Sequence, residues 1–416
     1  MSEITWRNAT LGEVADLCLG KMLDQNKNRG VPTPYLANVN VRWGEFVLDD
    51  LRVMRFEEHE RDRYGLKYGD IVMCEGGEPG RCAIWKEQMP GMMIQKALHR
   101  IRPKAGLEHR FLYYSFRNIG LLGGFDQYFT GATIKHLPGE QLAKVEVLIP
   151  PLPTQRRIAG ILSAYDDLIE NSQRRIKILE EMARRLYREW FVYFRFPGHE
   201  GCRLVQSPLG AIPEGWKVRP FTEIADVLSG GTPKTDVAHY WDGEIPFFTP
   251  RDAPDCFYLQ DTEKHVTDVG LAKCASLLYP PDTVFITARG TVGKAALPAV
   301  DMAMNQSCYA LRGKAGISQR FLFLMTLQQV QYLKKNTGGA TFDTIVVDTF
   351  RRMEVVAPST TIVSKFSDRI DTAFDQVNTL QRQIQNLRRS RDLLLPRLLS
   401  GQIDVEALPE PALSEP

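Results

Sequence analysis

"QRRIAGILSAYDDLIENSQRRIKILEEMARRLYREWF", residues 155–191, places its apolar side chains at the spacing of one long helix. Leu162, Ile169, Ile176, Ala183 and Trp190 recur every seven residues, with Tyr165, Ser172, Leu179 and Leu186 three positions later. These are the a and d positions of a heptad. A helix of this length would extend about 55 Å at ~1.5 Å per residue, too far for one small domain to cover. The same pattern returns 208 residues later, with Ile370, Val377 and Ile384 followed by Ala373, Leu380, Leu387 and Leu394. Matching seams predict two helices that pack on each other. The simpler alternative is an amphipathic helix lying on a globular domain, which shows a similar stripe.

The repeat extends beyond the helices. Trp6 opens "WRNATLGEVADLCLG", and Trp216 opens "WKVRPFTEIADVLSGG" 210 residues later. "GDIVMCEGGEPGRCAI" aligns with "PDTVFITARGTVGKAAL", setting Gly77 opposite Gly290, Gly80 opposite Gly293 and Arg81 opposite Lys294. "RFLYYSF" at Arg110 meets "RFLFLMT" at Arg320, "TGATIKHL" meets "GGATFDTI", and "KVEVLIPP" meets "RMEVVAPS". Matches in one order with little drift signify an internal duplication. Each copy holds a globular part of short apolar runs and Gly/Pro turns, then its long helix. The fold class expected is therefore α+β (mixed α/β).

Chain order sets direction. About 20 residues separate the end of the first helix from the second globular part, so antiparallel helices need no long return crossing. The expected result is two similar domains in inverted orientation, separated by two long antiparallel coiled-coil-like helices with pseudo-twofold symmetry. Pro396 is expected to interrupt the second helix near Leu395, and "GQIDV" to return to the first domain as a short strand. "WFVYFRF", with Phe191, Tyr193, Phe194 and Phe196, is too aromatic for a bare linker and is expected to pack on the other helix's end or a partner. The boundaries read 1–151 for the first domain, 152–197 for its helix, 198–358 for the second domain, 359–405 for its helix and 406–416 for an acidic, proline-rich disordered tail.

Composition narrows the function. Lys plus Arg (52) nearly equals Asp plus Glu (50), so no global basic excess announces a nucleic-acid binder, and any such activity rests on local placement. The seven cysteines form neither a CxxC pair nor a zinc spacing and read as reduced cytosolic residues. No secretory leader and no apolar run of about 18 residues occurs, which predicts a cytoplasmic protein with no membrane partner.

"TARGTVGK", Thr287 to Lys294, invites a P-loop reading and fails it. Ala288 stands where the first glycine belongs, and Ala295 where a magnesium-binding hydroxyl belongs. No GxGxxG or HExxH motif is present, the methyltransferase Asn/Asp-Pro-Pro-aromatic motif is absent, and the seven histidines are scattered. No catalytic or metal residues are assigned. Two similar domains on a rod suit instead two DNA readers about 34 Å apart on one face of the duplex.

The residues also resemble a known family. "PPLPTQRRIAGILSAYDDLIENSQRRIKILEEMARRLYREWFVYFRFPG", "IPEGWK", "LLPRLLSGQIDV", "SGGTPKTDVAHYWDGEIPFFTPRD" and "IVMCEGGEPGRCAIW" look like segments of the specificity (S) subunits of Type I restriction-modification enzymes, from about Trp6 to Val405. The resemblance implies two target recognition domains, each binding half of an asymmetric bipartite DNA sequence. It implies that the helices rule the spacer and dock two modification (methyltransferase) subunits. ATP-dependent restriction subunits would join that core. It further implies that S-adenosylmethionine, ATP and Mg belong to those partners and that this chain is noncatalytic. The alternatives are a bifunctional restriction-methylation enzyme and a coiled-coil protein-binding scaffold.

Candidate DNA contacts are cations and hydroxyls beside the repeat-matched turns: Lys21, Arg81, Thr133, Lys135, Lys234, Arg251, Arg289, Lys294 and Thr341. Arg81, Arg251 and Arg289 are the candidates for guanine through O6 and N7. Basic residues along the helices, Arg174 and Arg185 among them, form either a solvated face or one turned to DNA or acidic partners.

Overall fold

The computed structural model describes residues 6–24, 28–336 and 344–408. Thr341 and residues 409–416 of the expected tail lie outside the described residues. The chain divides into two compact units, 1–168 with 387–416, and 169–386. Each unit holds one globular part and one end of each long helix.

In the first unit a four-stranded antiparallel sheet runs Ala15–Leu19, Leu98–Pro103, Ile71–Cys74, Cys82–Ile84. Ile71–Cys74 is buried at every position, so its run "IVMC" is continuously apolar instead of alternating. The helix His109–Leu121 starts where the Glu108 carboxylate accepts the Phe111 N–H at 2.6 Å, and it buries Phe111, Leu112, Tyr114 and Phe116. Each such side chain contributes about 1.5–3 kcal/mol by leaving water. A smaller sheet places Val31–Leu36 between Arg52–Phe56 and Met93–Ile94. The chain enters and leaves on paired strands, Arg7 opposite Ile149 and Thr10 opposite Glu146.

The start of the first long helix and the end of the second share this core. Ile158, Ala159 and Leu162 pack in one cluster with Leu395, Leu398, Leu399, Phe111 and Leu112. Asp166 pairs with Arg391 and accepts the Tyr114 hydroxyl at 2.6 Å. Pro396 does not interrupt the helix, which continues to Leu399. Proline removes one N–H, and here the loss falls in the final turn, where burial of Leu395, Leu398 and Leu399 holds the helix. "GQIDV" does return to the first domain, but as a turn rather than a strand: Val405 starts a 3-10 turn and is buried in the same cluster.

The second unit repeats the plan. Its sheet runs Ala225–Ser229, Cys308–Gly313, Val284–Thr287, Ala295–Pro298 in the same order, with one parallel strand added, Tyr258–Leu259. Gln319–Asn336 replaces the first unit's packing helix and buries Phe321 to Met325. Lys217–Pro220 pairs with Glu354–Ala357, Lys217 opposite Ala357, the register of the first unit carried over. Here the end of the first long helix meets the start of the second: Phe366 lies 5.5 Å from Trp190 and 4.9 Å from Phe191, ring to ring. Of the aromatic linker, Phe191 packs on the other helix as expected, whereas Phe194 and Phe196 pack on Trp216 of the second globular part, at 5.6 Å and 5.2 Å, and Tyr193 is exposed.

The first long helix spans Leu152–Tyr187 and ends in a wide π-turn at Arg188–Val192, short of the expected 197. The second spans Thr360–Leu399, short of 405. Of the seam, Leu162, Ile169, Ile176, Ile370, Val377, Leu380 and Ile384 are buried, whereas Leu179, Leu186, Leu387 and Leu394 are half-buried. Glu180, Tyr187 and Leu395 are buried in their place. An α-helix drifts about 20° per heptad from a strict seven-residue repeat, so the buried stripe moves off the d positions. Its new neighbours belong to the globular parts, as where Phe374 lies 4.9 Å from Phe257. Packing on the domain, the simpler alternative, accounts for much of both stripes.

Candidate nucleic-acid interface

The repeat-matched turns converge in each unit through the same backbone bonds. In the first, Gly80 N–H donates to the Cys74 carbonyl at 3.0 Å and Leu137 N–H to that of Glu75 at 2.8 Å. In the second, Gly293 N–H donates to Thr287 at 2.8 Å and Ile345 N–H to Ala288 at 2.9 Å. The segment after the first strand joins likewise, Lys21 N–H to Ile94 and Gly231 N–H to Met304, each at 3.1 Å. These bonds fix four segments per unit into one loop face.

The glycines are required there. Gly80 and Gly293 have φ of +90° and +79°, and a Cβ would stand 2.9 Å from Phe125 or 2.7 Å from Val330. Left-handed backbone strains any side chain there, and its Cβ would force the neighbouring ring or Val330 to shift. A fifth segment closes each face: the Arg81 guanidinium donates to the Asn38 carbonyl at 3.1 Å, and the Thr291 hydroxyl to the Pro250 carbonyl at 3.0 Å.

On this framework the candidate contacts separate. Thr133, Lys135, Lys234, Arg251 and Arg289 are exposed. Lys135 reaches Asp126 at 3.3 Å and lies over the Phe129 ring. Lys294 is half-buried and pairs with Asp255 at 2.7 Å; Arg81 is mostly buried and pairs with Glu78, also at 2.7 Å.

Lys21 is not a surface cation. It is 3 % exposed, its ammonium donates to the Arg55 carbonyl at 3.0 Å and to the Glu60 carboxylate, and it lies over the Phe56 ring. Its counterpart is Gly231, so sequence offered no cation at the matched position. Burial pushes the Glu60 carboxyl up, but the hydrogen bonds from Lys21 and the Glu57 N–H outweigh it and leave it below the usual range. Among the described residues Glu57, His59 and Glu60 are close enough to share a cation, yet Lys21 already occupies Glu60.

Four cations of the first helical region are committed within it, and Arg391 of the second helix pairs with Asp166 of the first. Arg174 pairs with Glu170, Arg184 with Glu180, and Arg185 and Arg188 both with Glu181. The exposed partners, Glu78 and Asp255, are anions and so stand outside the cations and hydroxyls expected at DNA. Glu78 sits three residues before Arg81, an ion-pair spacing visible in the sequence; Asp255 carries no such signal.

Two copies of one fold, each presenting loops of different composition on the same framework, define a protein with two recognition faces. Residues 3–181 and 213–388 match the family of the Type I restriction modification DNA specificity domain. The chain belongs to that family, and its function is DNA sequence specificity. It is 25 % identical over 344 residues to the Type I restriction enzyme MjaIX specificity subunit of Methanocaldococcus jannaschii, spanning 82 % of this chain and 79 % of the relative. It is 23 % identical over 331 residues to the HindI specificity subunit of Haemophilus influenzae, spanning 65 % and 72 %. In fold it is similar to the crystal structure of the Type I restriction-modification system S subunit from M. genitalium, with a TM-score of 0.56 at 16 % identity over 96 % of this chain and 97 % of that one. No helix among the described residues is long and apolar enough to cross a membrane.

Proposed function

We propose that each unit's loop face binds one half of an asymmetric bipartite site in double-stranded DNA, and that this chain supplies recognition without catalysis. The observation that carries the reading is the loop framework: the same backbone bonds support "CEGGEPGR" in one unit and "TARGTVGK" in the other. A common scaffold with different side chains reads two different sequences. Exposed cations on it position the backbone, and groups at base edges specify the bases.

The long helices act as an antiparallel, coiled-coil-like ruler that holds the two domains in inverted orientation and sets the spacer. Contact order supports this reading, since the start of one helix meets the end of the other in the first unit and the reverse holds in the second. Their outer faces dock two modification subunits that carry S-adenosylmethionine, and ATP- and Mg-dependent restriction subunits join that core in the cytoplasm. The segments act as recognition domains at 1–151 and 198–358, with the helical regions 152–197 and 359–405 between and after them.

Modified-base sequencing of DNA from cells expressing this chain with its methyltransferase partner tests the reading. Adenine methylation at a split, asymmetric site is expected. Methyl transfer by the purified chain alone would overturn it in favour of the bifunctional enzyme, and no DNA specificity at all would favour the protein-binding scaffold.

A further inference from the structure

Arg81 and Lys294 occupy equivalent positions, and each is tied at 2.7 Å to a carboxylate that stands further out than the cation. The Glu78 side chain is 67 % exposed against 11 % for Arg81, and that of Asp255 is 94 % exposed against 40 % for Lys294. In both loop faces the outermost group of the pair is therefore an acceptor.

The two carboxylates reach this place by different routes. Glu78 lies in the same turn as Arg81, while Asp255 comes from the neighbouring loop that Thr291 ties down through Pro250. The arrangement recurs without the sequence recurring. A surface meeting phosphate would present the cation outward. Here the guanidinium is turned in, donating also to the Asn38 carbonyl.

We propose that Glu78 and Asp255 read bases: each carboxylate accepts a hydrogen bond from the exocyclic amino group of a cytosine or adenine in the major groove, with Arg81 and Lys294 as positioning residues. This rests on the DNA-reading function proposed above. A carboxylate at a DNA interface loses water and faces a polyanion, so it is retained only against a donor. The major-groove donors are cytosine N4 and adenine N6. The paired cation offsets part of the repulsion and holds the carboxylate in one rotamer, as buried partners orient a functional group. Glu78 and Asp255 thus read one position in each half-site.

The test uses the complex with its modification subunits and duplexes carrying the target found by modified-base sequencing. In further duplexes each adenine is replaced by purine or each cytosine by 2-pyrimidinone, which lack the amino group. The wild type should lose about tenfold to a hundredfold in affinity at one position of each half-site. Glu78→Ala should abolish that sensitivity in one half-site and Asp255→Ala in the other, with the salt dependence of binding unchanged. Glu78→Gln, which keeps an acceptor oxygen, should retain part of it, and Arg81→Lys should retain more than Arg81→Ala. Alanine variants that kept the wild-type response to every amino deletion, or gained affinity equally on all duplexes, would overturn the assignment. A wild-type complex that bound scrambled duplex as tightly as target would overturn the DNA-reading function itself.

Discussion

Glu180, near the end of the first long helix, accepts the backbone N–H of Phe257 at 2.7 Å and pairs with Arg184 at 3.0 Å while almost fully buried. Burial pushes its carboxyl above the usual range despite both partners. The native state therefore holds the proton more tightly than the unfolded chain. This contribution is fully present below the ordinary carboxylate pKa and declines as pH rises through the raised one. Glu180→Gln keeps an acceptor and removes the charge, so its melting temperature relative to wild type should improve as pH rises from below the ordinary carboxylate range to above the raised one. Glu180→Ala strands the Phe257 N–H and should cost about 1–3 kcal/mol in denaturant titrations.

Glu60, the partner of Lys21, gives the opposite pH response. Glu60 is held below the usual carboxylate range, so its share of stability is present above that range and lost as pH falls through the depressed pKa. Lys21→Met should leave a mostly buried carboxylate without its ammonium, held by the Glu57 N–H alone, and cost about 3 kcal/mol in chemical unfolding. At pH 7 the folded variant should show the wild-type slope of log affinity against log salt, because no phosphate contact is lost.

The exposed cations should behave differently. Alanine at Lys234, Arg251 or Arg289 should either weaken binding on every duplex and reduce the salt slope by about one, or relax a single target position by about 1–3 kcal/mol. Filter binding at several salt concentrations on target and scrambled duplexes separates the two outcomes. Unchanged affinity for all three would remove them from the interface.

Gly293→Ala should destabilise the second unit by about 1–3 kcal/mol, because it adds left-handed strain to a clash with Val330. In the complex, methylation should fall through loss of one half-site while the first unit stays folded. Limited proteolysis mapped to 169–386 checks the location.

The duplication was legible because Gly77, Gly80, Gly290 and Gly293 mark the same backbone conformation in both copies, and glycine reports conformation directly. The long helices were legible because apolar periodicity survives at any contact. Their partners were not: Leu179 and Leu186 fit the heptad, yet Glu180 and Tyr187 are the buried residues, since which surface a stripe meets is decided by tertiary packing. Charge was the least informative signal. Lys21 and Lys234 look alike in sequence, and only the position of Glu60 and the ring of Phe56 make one internal. Pro396 shows that a breaker in the last turn is outweighed by three buried leucines.

The paired entry and exit strands bring the two ends of each globular part together. Each globular part is entered and left through a four-residue ladder, closed by Thr10 opposite Glu146 in the first unit and by Pro220 opposite Glu354 in the second. The ladder alone does not seat a globular part, because each one also meets the long helices, through Tyr114 on Asp166 in the first unit and Phe257 on Phe374 in the second. Each globular part therefore has two fittings, a backbone ladder shared by both copies and a side-chain seat on the helices that differs between them.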